Sequence, residues 1–152
     1  SQETNSPLKT KITEDMKSAM RSKDTSRLGT IRLLLAAIKQ KEVDERVELF
    51  DEDIISIIEK MLKQRRDSIE AFNLADRKDL VEKEELELKV LQYYMPKQLA
   101  EDEIERAVSE AIEITAASSM KDMGKVMGIL KPKLAGKANM ADVSKKIKAN
   151  LS

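Results

Sequence analysis

Histidine and cysteine are absent from all 152 residues. Their absence removes disulfides, thiolate nucleophiles, the usual zinc ligand sets and the side chain that titrates near neutral pH. Glycine occurs four times and proline three times, too few for a sheet protein held together by tight turns. Long apolar stretches are missing too. The longest, Leu33 to Ile38, is far shorter than the roughly 20 residues a bilayer-spanning helix needs, and no membrane partner is expected. The opening "SQETNSP" lacks an initiator Met, the basic and apolar parts of a secretion signal and the arginines of a transit peptide. Residues 1–7 are therefore expected to be a disordered lead-in or, in part, a cloning remnant.

Leu, Ala, Met, Glu and Lys are abundant, and 37% of the residues are charged. These are helix formers, and the fold class they predict is all-α. The formal net charge is zero but unevenly placed. From Ser119 to the end there are eight lysines against Asp122 and Asp142, a surplus of six, so the rest of the chain carries the matching deficit. An acidic body with a basic end points to a polyanionic partner at that end.

Apolar residues recur at helical spacing in successive stretches. Leu8, Ile12, Met16, Ala19 and Met20 mark a first helix. Asp24 or Thr25 can cap a second, with Leu28, Ile31, Leu35 and Ile38 on one face. Asp51 is placed as the cap of a third, which carries Ile54, Ile58, Met61, Leu62, Ile69 and Phe72. A fourth runs from about Lys78 to Met95, where Pro96 must end it. Three shorter helices follow at about 101–115, 119–134 and 140–151, with a break at Pro132, a capping box at Ser119 and Asp122, and Asn139 as the last cap. A boundary near 96–100 thus divides an N-terminal helical domain, 8–96, from a C-terminal three-helix domain, 97–152.

Several apparent motifs dissolve on inspection. "SSMK" matches the S-x-x-K of penicillin-recognising enzymes, but a serine capping a helix beside a solvated lysine accounts for it. Gly136-Lys137 is followed by alanine with no preceding strand, so it is no P-loop. "EDEIE" and "VEKEELELK" read as solvated helix faces rather than paired acid–base groups. Arg65 and Arg66 read as a surface ion-pair face, and Tyr93-Tyr94 as core and junction packing. No metal or cofactor is expected.

"MGKVMGILKPKLAGKAN", residues 123–139, is different, for it holds three of the four glycines and no carboxylate. Gly124 and Gly128 lie one helical turn apart. They serve either helix–helix packing or the close approach of a phosphate, since two mid-helix glycines cost about 1 kcal/mol each against alanine. Lys125, Lys131, Lys133 and Lys137 surround them, and Lys145 and Lys148 align on the last helix. Free helix-end amides at a glycine-bearing turn would suit phosphate oxygens. No aromatic lies beyond Tyr94, so base stacking is unavailable there, and a folded A-form RNA read by shape fits better than a single strand.

The stretches "KQRRDSIEAF", "DLVEKEELEL", "YYMPKQLAEDEI" and "MGKVMGILKPKLAGKA" resemble, in order and spacing, the GatB/YqeY domain proteins of the stand-alone YqeY-like type. The resemblance covers about Leu8 to Leu151. It implies an N-terminal domain of about four helices and a C-terminal three-helix bundle similar to the tail of the B subunit of the glutamine-dependent tRNA amidotransferase, which helps hold tRNA. Carried over position by position, Lys125, Lys131, Lys133 and Lys137 face phosphate, and Gly124, Gly128 and Gly136 permit close approach. Lys145 and Lys148 join them on charge alone. Ala100 stands where the family usually has a serine cap, and Asn139 where aspartate is common.

The expected function is that of a cytoplasmic, non-enzymatic tRNA-binding accessory of aminoacyl-tRNA formation. A protein–protein adaptor for a synthetase or amidotransferase is the alternative. A carbon–nitrogen ligase using glutamine ranks last, because no nucleophile or ammonia-releasing site can be named.

Overall fold

A computed structural model describes residues 6–152, among which there are seven α-helices and one 3-10 turn and no strand. The chain divides into two compact units, the first ending at Met95 and the second formed by Pro96–Ser152. Residues 1–5 of the expected lead-in lie outside the described residues. Ser6 and Pro7 do not belong to a lead-in: Ser6 is the N-cap of the first helix, and Pro7 takes the first helical position, where its missing N–H costs nothing.

The first unit contains α1 (Pro7–Ser22), α2 (Thr25–Glu45), α3 (Asp51–Leu74) and α4 (Lys78–Gln92). Ile12, Ile31, Leu34, Ile38, Ile54, Ile58 and Leu91 are fully buried at its centre. Each contributes about 1.5–3 kcal/mol through burial of its side chain. Helix α2 packs against α1, α3 and α4, which explains why its apolar residues run on continuously instead of keeping to one stripe.

Asp51 does not cap α3. It occupies the first helical position, while Phe50 is the N-cap and donates its amide to Asp53 Oδ2 at 2.9 Å. The Asp51 carboxylate serves the start of α1 instead. It accepts the Ser6 hydroxyl and the Leu8 amide, the latter at 3.2 Å. Helix α4 stops at Gln92, and Tyr94 and Met95 donate to Leu91 and Gln92 in a tightened turn before Pro96. Tyr94 is buried whereas Tyr93 is exposed, stacked edge-on to Tyr94 with 5.2 Å between ring centroids. Arg65 reaches from α3 to Glu84 at 3.4 Å and Glu87 at 3.0 Å on α4, so it is a half-sheltered interhelical tie rather than a solvated face.

The second unit contains α5 (Glu101–Thr115), the 3-10 turn Met120–Asp122, α6 (Met123–Leu134) and α7 (Met140–Leu151). Its core is Ile104, Val108 and Ala111 from α5, Val126, Leu130 and Leu134 from α6, and Val143, Ile147 and Leu151 from α7. Pro132 does not break α6, which continues to Leu134. A proline deprives residue i−4 of a hydrogen bond and crowds its carbonyl. Here residue i−4 is Gly128, and α6 ends two residues after Pro132, so less than one turn remains to be lost.

Candidate functional site

Helix α6 turns Val126, Leu130 and Leu134 inward, which fixes where its other residues lie. Gly124, Gly128 and Lys131, at spacings of four and three, share one exposed flank. Lys125 lies on the outermost side with Pro132. Lys133 falls on the opposite flank, so the structure does not gather the predicted lysines into one cluster.

A methyl group added at Gly124 or Gly128 would meet nothing within 4 Å. Packing inside this chain is therefore not why either glycine is there. Gly136 has a different task. It is buried with φ 77°, a left-handed conformation, and its carbonyl accepts the Gln98 side-chain amide at 2.6 Å. The neighbouring Lys137 carbonyl accepts the Leu99 amide at 2.9 Å, so the turn after α6 is tied to the segment leading into α5.

Lys133 and Lys137 line a cleft of about 280 Å³ together with Arg106 of α5. Arg106 was not anticipated, because "EDEIERAVSE" reads as an acidic solvated helix. Glu103 and Glu110 share the cleft and temper its charge. On α7, Val143, Ile147 and Leu151 point inward, leaving Lys145 and Lys148 on one exposed stripe. Lys146 is occupied elsewhere, at 2.6 Å from Glu101 and 3.6 Å from Glu105 on α5, and the Glu101 bond raises its pKa.

Asp122 is the N-cap residue of α6. Its Oδ2 accepts the amides of Ser118 at 2.9 Å and Ser119 at 3.3 Å, and these bonds hold it below the usual carboxylate range. The serines of "SSMK" thus belong to a capped turn. Among the described residues, no three of His, Cys, Asp or Glu are grouped so as to hold a metal ion. No described helix is long and apolar enough to cross a membrane.

The sequence model of the YqeY-like protein family matches residues 9–151. Among similar proteins, one from Pyrenophora tritici-repentis is 37% identical over 90% of this chain and 77% of its own length. One from Vanderwaltozyma polyspora is 35% identical over 74% of this chain and 64% of its own. One from Eremothecium gossypii is 45% identical over 55% of this chain and 46% of its own. The matched stretch thus spans from about half to three quarters of these relatives. All three are named "Altered inheritance of mitochondria protein 41, mitochondrial".

These names overturn two expectations. The relatives are mitochondrial, against the expected cytoplasmic location, and what they are named for is mitochondrial inheritance. Neither a tRNA-binding accessory of aminoacyl-tRNA formation nor an adaptor for a synthetase or amidotransferase accords with that, because lysines at helix ends specify only negative charge and cannot tell one polyanion from another. Neither the family description nor the relatives' names state a catalytic activity. With its match running almost end to end, the chain belongs to the YqeY-like protein family.

Proposed function

We propose that this chain serves the inheritance of mitochondria, within the organelle and without catalysing a reaction, by presenting the unpaired lysines of α6 and α7 to an anionic partner. One observation carries the reading: a relative 37% identical over 90% of the chain bears that name. The surface argument comes from α6 and α7. Lys131, Lys133, Lys137, Lys145 and Lys148 are exposed and engaged in no ion pair among the described residues, whereas Lys146 beside them is spent on α5. Exposed lysines left unpaired on adjacent helices build a positive potential that draws in an anionic surface. The non-enzymatic part rests on a sequence without histidine or cysteine.

The test uses the full-length protein in its own cells. A fluorescent fusion should coincide with a mitochondrial matrix marker, and disrupting the gene should raise the fraction of daughter cells that inherit defective mitochondria. Wild-type protein should rescue, and the variant Lys131→Glu, Lys133→Glu, Lys145→Glu, Lys148→Glu should be equally abundant yet fail. A diffuse cytosolic signal would overturn the location, and full rescue by the variant would overturn the role of these lysines.

A further inference from the structure

The first unit carries a trough of about 560 Å³ between α2 and α4, apart from the lysines of α6 and α7. Its walls are one stripe from each helix. Ser26, Gly29, Thr30 and Leu33 come from α2, and Lys83, Leu86, Glu87 and Val90 come from α4, both at the i, i+3, i+4, i+7 spacing. Seven residues at 1.5 Å each make the trough about 10 Å long, which is two helical turns.

The floor is apolar and open. Leu33 is 49% and Leu86 54% exposed, although both sit mid-helix beside a core. The Thr30 hydroxyl turns away to its own helix, donating to the Ser26 carbonyl at 3.2 Å. Gly29 supplies no side chain, and a methyl group there would meet nothing within 4 Å. The ridge of α2 is therefore interrupted where another backbone could come closest.

Charge on the rim selects the occupant. Glu87 is held by Arg65 at 3.0 Å, Asp24 caps the Arg27 amide at 3.2 Å, and Arg27 faces Asp15 at 3.8 Å. Lys83 and Lys89 are exposed and unpaired among the described residues, so the charge left on offer is positive. We infer that this trough docks an amphipathic helix of a partner protein whose apolar stripe, about two turns long, is flanked by carboxylates.

The test uses the full chain and two labelled amphipathic peptides of about 14 residues that share one leucine stripe, one with glutamates and one with lysines on the polar face. Fluorescence anisotropy should show the acidic peptide binding and the basic one weaker by about tenfold or more. Gly29→Leu fills the trough from a position with open space and should weaken the acidic peptide by at least about tenfold at a Tm no lower than that of wild type. Lys83→Glu with Lys89→Glu, two surface changes, should invert the preference toward the basic peptide. The inference fails if the acidic peptide does not bind, if both peptides bind alike, or if Gly29→Leu has no effect. It also fails if sedimentation shows a self-associated chain that Gly29→Leu dissociates, because the occupant is then a second copy.

Discussion

The Tyr94 hydroxyl donates to Asp15 Oδ2 at 2.7 Å, joining the turn after α4 to α1 across 79 residues of sequence. Burial, the Asp15 bond and the Asp15 charge all push the tyrosine above its ordinary range, so it remains a donor at neutral pH. Tyr94→Phe should cost about 1–2 kcal/mol in urea unfolding of the full chain, since among the described residues Asp15 then keeps Arg27 at 3.8 Å and Lys11 at 4.0 Å. A double-mutant cycle with Asp15→Ala should return a coupling of about 1 kcal/mol. A coupling within error of zero would make the bond incidental.

Glu42 gives the first unit an acid-sensitive point. Burial acts to raise its pKa, but the Lys9 ammonium, 2.9 Å from both carboxylate oxygens, and the Leu49 amide at 3.2 Å prevail and lower it. A lowered folded pKa means that the ionised form stabilises the fold above the ordinary carboxylate value of 4.5, and that this is lost as pH falls through the folded value. Glu42→Gln should therefore be less stable than wild type by about 1 kcal/mol at pH 7, with the difference shrinking below pH 4. A gap that is independent of pH would refute the linkage.

The glycines should separate by sign. Gly124→Ala and Gly128→Ala place a methyl group in open space on α6 and should each raise stability by about 0.5–1 kcal/mol. Gly136→Ala forces an alanine to φ 77° and should lower it by about 1 kcal/mol or more. Thermal unfolding of the three variants distinguishes them. A destabilised Gly124→Ala would mean that this flank of α6 is crowded.

The fragment Pro96–Ser152 should fold alone, because Val108, Val126, Leu130, Val143 and Ile147 are fully buried within its own three helices. Circular dichroism should show helix with a cooperative melt. Within it, Lys146→Ala should hardly move the melting temperature, since Glu101 and Glu105 are mostly exposed. A disordered fragment would show that the buried set is insufficient by itself.

The sequence made the helices legible wherever one face alone is buried, as with Ile12, Ile54 and Ile58, or Val126 and Leu130. It was less informative on α2, where Leu34 is fully buried yet sits in the unbroken run Leu33 to Ile38, so periodicity could not single it out. The start of α3 falls one residue from its expected place because the N-cap, Phe50, has no side chain that can cap, whereas Asp51 beside it has one. Which glycines meet empty space and the trough between α2 and α4 depend on how helices pair. Spacing within one helix carries no such information.

Ser6 is only 1% exposed, and it both caps α1, accepting the Lys9 amide at 3.0 Å, and donates to Asp51. Those bonds make the first unit sensitive to loss of its N-terminal residues. An exopeptidase advancing from the N-terminal side that removed Ser6 would strip the cap from α1 and leave the Asp51 carboxylate short of a donor, at a cost of about 1–3 kcal/mol. A chain that begins at Pro7 should therefore unfold at lower urea concentration than one that keeps Ser6, which denaturation of the two would show.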